Sequence, residues 1–600
     1  MSPGSRAKLD PILRSVLANR FDAICAEMGE TMLLTSRSPI FSEARDFATA
    51  LFDARGRMVA EVPYIPVLSG ALPPTLTAIR EHFGDDVHPG DVILTNDPYW
   101  GGNNHKPDFT MARPVFLGGR LAFWTVAKGH HADVGGTGCC GYNPEATTIW
   151  EEGIRIPPVK LYEKGVRNAS VWSLICKNVR MEFLVDGDLH CQVGASAVGE
   201  RAVLRLVERY GLSTVEQAVD EILDASEAHM RRELARIPRG EYAAERFMDH
   251  DGFDRERLVR VRVTARVGED GITFDFTGSD PQVKGSINST AANTFSSSCL
   301  ALFTTLDPEI RKNDGALRPV RVIAPPGTVV NCLEPAPCAA CTICTTAAIT
   351  EAIWLALSQA VPELVQAAWA RWSAPATMGQ NPRTGRPFGE IHFMAKGGAG
   401  ATLGYDGWDH LGVVSCSGGL RAPDPELHEM TCPYTVLQYE YLPDSAGPGR
   451  WRGGLGTAYR WRVDADRVLS NNFGDGLRPE TAPFGIAGGK GAKPSRLVVR
   501  RADGSLDDPD VHRYVTLNRG DVYEIFETGG GGYGDPFERP PAGVLEDVLD
   551  GVVSLQSARE DYGVVLDPET LELDQAATEA VRSGHGNGRP RPYIEPPEAE

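Results

Sequence analysis

Phe109-Thr110-Met111-Ala112-Arg113-Pro114-Val115-Phe116-Leu117, Gly118-Gly119 and Leu121-Ala122-Phe123-Trp124-Thr125-Val126-Ala127-Lys128 read as two strands joined by a two-residue glycine turn. A hairpin brings its far ends together, and here both ends are polar. One side ends the run Asn96-Asp97-Pro98-Tyr99-Trp100-Gly101-Gly102-Asn103-Asn104-His105-Lys106-Pro107-Asp108; the other opens Gly129-His130-His131-Ala132-Asp133-Val134-Gly135-Gly136. Pairing Leu117 with Arg120 and counting outward sets Asp108 opposite Gly129 and Pro107 opposite His130, with paired Cα atoms about 4.5–5.5 Å apart. His105 lies just beyond. A register slip or a bulge changes which side chains converge, but the two ends still meet.

His105, Asp108 and His130 form a donor set for Zn, Mn or Fe(II), because imidazole and carboxylate are borderline-to-hard ligands and no thiolate biases the set toward a soft metal. A cation there could activate water, polarise a carbonyl or stabilise an enolate. The plainer reading of the same residues is turn capping and surface hydrogen bonding. Spacing does not choose between the two.

Outward from the hairpin, Asp10-Pro11 reads as an N-cap followed by proline at the first helical position, and Ile12, Leu13, Val16, Leu17, Phe21, Ile24 and Met28 recur at helical spacing. Residues 46–52 and 58–62 read as a second hairpin around Asp53-Ala54-Arg55-Gly56-Arg57. Between 198 and 236 one helix should stop at Gly211, and Ser213 with Glu216 carries the signature of a capping box opening the next. Alternation at Leu258–Val263 and Ile272–Phe276 predicts strands, and helical character returns at 345–367. Beyond 375, Gly397-Gly398-Ala399-Gly400, Gly453-Gly454-Leu455-Gly456 and Gly488-Gly489-Lys490-Gly491 punctuate short strands. The expected fold class is α+β: mixed helix and largely antiparallel sheet, multidomain, with a glycine-rich, β-rich C-terminal region. The expected units are 1–240, an α+β metal-binding domain; 241–375, a central α+β domain; 376–575, the glycine-rich region; and 576–600, a disordered tail.

A chain of 600 residues exceeds what one core normally organises. A formal net charge of -20 opposes a large nucleic-acid footprint, which needs clustered Lys and Arg. No stretch approaches the roughly 20 apolar residues that span a bilayer. The protein is expected to bind neither nucleic acid nor membrane and to be soluble and cytoplasmic. The 12 cysteines are expected to be reduced thiols, mostly small buried side chains.

Several strings together resemble the hydantoinase B/oxoprolinase family, which includes subunits of acetone-type and aromatic ketone carboxylases. They are Asp46-Phe47 with Ala50-Leu51-Phe52-Asp53, the Asn-Asp-Pro-Tyr-x-Gly-Gly run at 96–102, His130 to Gly136, Glu152 to Pro158, and Gly529-Gly530-Gly531-Gly532-Tyr533-Gly534-Asp535-Pro536. The resemblance spans roughly residues 8 to 570. It implies a divalent metal on His105, Asp108 and His130, with Asp46 joining in some members. It also implies a hydantoinase A-type ATPase partner in a hetero-oligomer, which uses ATP to activate a small-molecule substrate. The leading expectation is opening of a cyclic amide such as a hydantoin, oxoproline or lactam; the alternatives are ketone carboxylation and a noncatalytic scaffold.

Where relatives often read Pro-His-Ile-Pro-Val-His-Leu-Gly, this chain has Pro63-Tyr64-Ile65-Pro66-Val67-Leu68-Ser69-Gly70. His131 and Asp133 are candidate proton-relay residues beside the metal, and Arg155 a candidate for holding an anionic substrate. Cys139-Cys140 offers a nucleophile or a structural thiol. Cys338-x-x-Cys341-x-x-Cys344 offers a thiolate site or small side chains packed at a helix start. Gly529–Gly534 lacks the ending of a P-loop and reads as a structural turn before it reads as an anion cradle, and Asp535-Pro536 opposes immediate entry into a helix. No nucleotide fingerprint is present, which assigns ATP to the partner.

Overall fold

The structure is a computed structural model and describes residues 7–584. Asp10 accepts hydrogen bonds from the amides of Ile12 (2.7 Å) and Leu13 (3.3 Å) and starts the helix Pro11–Thr35. Leu17, Phe21, Ile24, Met28 and Met32 line its buried face, against the helix Glu182–Tyr210 and the first two strands.

Those strands, β1 (Phe47–Asp53) and β2 (Met58–Val62), join β3 (Val92–Thr95), β4 (Asp108–Leu117), β5 (Arg120–His130), β6 (Val159–Glu163) and β7 (Val166–Arg167) in one antiparallel sheet. Its order is β2-β1-β5-β4-β3-β6-β7, so the predicted hairpin is its centre. The register differs from the simple count. Leu117 pairs with Arg120 and Phe116 with Leu121, but Val115 pairs with Phe123, leaving Ala122 as a bulge. Every rung beyond it moves by one, so Asp108 faces His130, not Gly129.

β8 (Gly240–Met248), β9 (Val259–Val267), β10 (Ile272–Asp275) and β11 (Val320–Ile323) make a second sheet in which only β10 and β11 run parallel. The remaining strands are β12 (Ser373–Asn381), β13 (Arg386–Ile391), β14 (Tyr434–Tyr441), β15 (Thr457–Val463), β16 (Val468–Gly474), β17 (Arg496–Arg500), β18 (Leu506–Asp507), β19 (Arg513–Leu517) and β20 (Val522–Phe526). They form two antiparallel sheets, β13-β12-β16-β19 and β14-β15-β20-β17-β18. This is the expected α+β class, with the β-rich region at the C-terminal side. One buried apolar cluster connects residues from Leu17 to Tyr533.

Local expectations shift in four places. Gly211 ends one helix at φ +80° and directly precedes the next, Leu212–Leu234, so Ser213 lies inside that helix and caps nothing; Glu216 bonds Arg120 instead. The helix expected over 345–367 is Cys344–Ser358, followed by a single 3-10 turn at Pro362–Leu364. Asp535 caps a 3-10 turn, Pro536–Glu538, by accepting from the Phe537 amide, because a carboxylate beside proline suits a helix start even for one turn. Residues 576–584, assigned above to the tail, belong to the helix Gln575–Gly584; 585–600 lie outside the described residues.

Candidate metal centre

The bulge at Ala122 builds the site. β1 pairs with β5 so that Phe47 faces Gly129, which places Asp46 beside His130 on one side while Asp108 faces it on the other. The His130 amide donates to the Asp46 carbonyl at 3.0 Å. Directly opposed residues of adjacent strands share a sheet face, so Asp46, His130 and Asp108 point the same way, and His131 points the other. Without the bulge, Asp108 and His130 would project from opposite faces.

His105 enters from the loop before β4. Asn103 holds the turn, donating through its side-chain nitrogen to the carbonyls of His105 (3.2 Å) and Asp108 (2.6 Å). Asn96 donates to Lys106 and Ile154, and Asn104 to Val67 and Asn293. The polar run read from the sequence is thus a set of staples that fix a loop with no regular ladder of its own.

His105, Asp108 and His130 are all at most 2% exposed, and one ligand atom from each lies within 4.8 Å of the others. His105 Nδ1 stands 2.6 Å from the Ala339 carbonyl. A carbonyl only accepts, so that nitrogen carries a proton, and the other ring nitrogen, Nε2, faces Asp108 Oδ1 at 3.0 Å. His130 repeats the pattern: Nε2 donates to the Cys140 carbonyl at 3.4 Å, and Nδ1 lies 3.4 Å from Asp108 Oδ1 and 4.0 Å from Asp46 Oδ2. Two imidazoles fixed from behind by carbonyls, with their other nitrogens aimed at one carboxylate, are arranged as metal-ligating imidazoles are. Asp108 Oδ2 is buried with no hydrogen-bond partner among the described residues. The donor set and this orphaned oxygen fit a divalent cation.

Charge around the triad agrees. Burial alone would raise the Asp108 carboxyl, but His105, His130 and Lys128 outweigh it and hold it well below the usual carboxylate range. Burial pushes Asp46 up to about 6 against the pull of His130. Burial pushes the Lys128 amine down to about 8; Lys128 Nζ donates to Asn104 Oδ1 at 2.7 Å.

The other expected site residues lie elsewhere. His131 Nε2 bonds Gln192 Oε1 at 2.9 Å, its ring stacks on Phe109, and burial pushes it down to about 4, so it is neutral and packed. Asp133 accepts from the Arg180 guanidinium, the amides of Arg180, Met181 and Gly135, and no group of the triad. Arg155 donates to Asp97 at 2.7 Å and Glu334 at 2.6 Å, and none of its hydrogen bonds reaches the triad. Burial pushes the Cys139 thiol up to about 12 and raises the Cys140 thiol well above its ordinary range, the opposite of an activated nucleophile. Cys338 and Cys341 both donate to the Asn104 carbonyl and Cys344 to Gly474, with no shared ligand point. All six amides of Gly529–Gly534 are bonded to other chain carbonyls, so this run is a structural crossing and not an anion cradle.

Three participants escaped sequence reading. Tyr142 stacks on His130 at 5.7 Å and on Phe473 at 4.1 Å, walling one side of the triad. Ala339 contributes only its carbonyl. Glu152 accepts from the amides of Cys338 (3.2 Å) and Ala339 (2.9 Å) and thereby presents that carbonyl to His105. A backbone acceptor leaves no mark in the sequence; Glu152 stood within a quoted motif, without a role.

Proteins similar along the whole chain are known. Caprolactamase subunit beta of Pseudomonas jessenii is 38% identical over 585 residues, 96% of this chain and 100% of the relative. The crystal structure of ATP-dependent caprolactamase from Pseudomonas jessenii superposes with a TM-score of 0.89 at 37% identity, covering 96% of this chain and 100% of that one. A nucleotide-free acetone carboxylase structure shares the fold, with a TM-score of 0.87 at 21% identity over 96% of this chain and 83% of its own. The hydantoinase B/oxoprolinase profile matches residues 10–536, and with that span and a full-length relative at 38% identity, the chain belongs to the hydantoinase B/oxoprolinase family.

Proposed function

We propose that this chain completes the ATP-dependent hydrolysis of a cyclic amide, acting in a hetero-oligomer on a substrate activated by a hydantoinase A-type ATPase subunit. His105, Asp108 and His130 hold a divalent Zn, Mn or Fe ion, and Asp46 is its fourth ligand. The observation that carries this reading is the pair of imidazole nitrogens aimed at one buried, partly unsatisfied carboxylate. The similarity to caprolactamase subunit beta along the whole chain supports the reaction class.

A bound divalent ion supplies Lewis acidity and makes water a nucleophile near neutral pH. The chain's own groups do the rest. Ala339 and Cys140 carbonyls fix the imidazole tautomers, and Glu152 fixes Ala339. Tyr142 and Phe473 wall off solvent. Lys128 balances the negative charge of Asp108 from behind. In this reading His131, Asp133 and Arg155 are positioning residues: His131 locks the strand end onto Gln192, Asp133 ties the loop to Arg180, and Arg155 joins Asp97 to Glu334.

The test is reconstitution with the ATPase subunit, with ATP and a panel of lactams and hydantoins. Ring opening that persists without bicarbonate and carries oxygen from labelled water into the new carboxylate is expected. Labelled bicarbonate entering a ketone, with none of the panel opened, would replace this reading with carboxylation. Turnover by the chain alone, free of partner on mass spectrometry, would overturn the division of labour.

A further inference from the structure

A second cluster of metal-ligand type lies away from the hairpin. His428 is on the short helix Pro425–Thr431, and Cys432 follows its last residue. Four residues apart on one helical turn, their side chains share a face, and the Cys432 amide donates to the His428 carbonyl at 2.9 Å. Glu390, near the end of β13, completes the group. Its Oε1 is 3.5 Å from His428 Nδ1 and its Oε2 is 3.7 Å from Cys432 Sγ, and one ligand atom from each residue lies within 4.8 Å of the others. Ligands around a tetrahedral Zn at bond lengths of about 2.0–2.3 Å stand about 3.3–3.7 Å apart. The separations of the two Glu390 oxygens from His428 Nδ1 and Cys432 Sγ match that spacing.

The surroundings are those of a built site. All three residues are buried. Among the described residues His428 Nδ1 has no hydrogen-bond partner, although it is shut away from solvent and faces a carboxylate. The other ring nitrogen, Nε2, lies 3.5 Å from the Tyr459 hydroxyl, and the ring stacks on Tyr434. An outer partner on one nitrogen with the inner nitrogen left free is how ligating imidazoles are oriented. Asn381 and Arg383, in the β12–β13 turn, donate to the carbonyls of Thr431 and Cys432 and fix the helix end.

We propose that Glu390, His428 and Cys432 form a second metal site, selective for Zn²⁺ or a similar thiolate-binding divalent ion. One thiolate, one carboxylate and one neutral imidazole neutralise a dication, and Glu390 also lines a small cavity with Ser38, Glu43 and Phe393 from which water can supply a fourth ligand. The ion pins the helix end to β13. The site is linked to the hairpin centre through packing: Gly389 lies against Cys140, whose carbonyl receives His130. The proposal does not rest on the catalytic reading.

Cobalt(II) loading of the full-length chain separates the two centres, because the hairpin set contains no thiolate. A near-ultraviolet thiolate-to-cobalt charge-transfer band is expected in the wild type, retained in Asp108→Asn and lost in Cys432→Ser, with Glu390→Gln binding about 10-fold more weakly. Where Cys432→Ser fails to fold, X-ray absorption of zinc-loaded Asp108→Asn replaces it and is expected to show a sulfur neighbour at about 2.3 Å. No band on cobalt loading, a band surviving in Cys432→Ser, or zinc without sulfur would overturn the site.

Discussion

The hairpin end and the glycine crossing were both conspicuous in the sequence, and they are built on opposite principles. At the hairpin end, side chains converge and polar groups stay incompletely satisfied: Asp108 Oδ2 has no partner among the described residues, and two imidazole nitrogens face one oxygen. At the crossing, side chains are absent so that backbones can converge. A Cβ on Gly530 would overlap the Ala399 carbonyl, one on Gly453 the Gly530 carbonyl, and one on Gly398 the Gly454 carbonyl. Every amide from Gly529 to Gly534 is paired. The difference teaches that ligand-type side chains converging on one unsatisfied carboxylate suit chemistry, whereas full pairing around missing side chains marks architecture.

The hardest test of that contrast is Gly530→Ala. The methyl meets backbone, which cannot rotate away, so destabilisation of about 3 kcal/mol or more is expected, read as aggregation or loss of cooperative unfolding. A stable, soluble variant would show the crossing to be slack. Asp108→Asn keeps volume and removes charge. Metal should be lost and partner-supported turnover fall on the order of 10³-fold, with the thermal midpoint moving only a few degrees. Full metal occupancy by elemental analysis would remove the proposed centre.

Glu527 sharpens the comparison from inside the crossing's own strand. Burial pushes its carboxyl up to about 8, despite hydroxyl donors from Ser495 and Ser373. From the ordinary 4.5 to about 8, the folded state keeps a proton that the unfolded chain has released. Stability should therefore fall as pH rises through that window, by at most about 1.4 kcal/mol per pH unit from this group. Denaturant titrations of Glu527→Gln should show a flatter profile; an unchanged slope refutes the assignment. Gly194, in the helix Glu182–Tyr210, has open space around its Cβ position. Gly194→Ala should stabilise the fold by about 0.5–1 kcal/mol, and a loss there would mean that glycine tolerance does not follow Cβ space.

By itself the sequence determined the elements and the ingredients. Asp10-Pro11 starts the first helix, Gly118-Gly119 turns the hairpin, and the residues that meet at its open end include His105, Asp108 and His130. Period and turn chemistry act over a few residues, so they can be read locally. Tertiary structure decided which side chains face each other. Ala122 bulges within the packed sheet and moves Asp108 opposite His130, a one-residue shift that no alternation pattern announces. The Ala339 carbonyl comes from 234 positions away to orient His105. His428 and Cys432, unremarked in the sequence, stand four apart, and Glu390 joins them only because β13 packs beside that helix end. Convergence across long loops depends on which buried surfaces pack together, and that is settled by the whole chain at once.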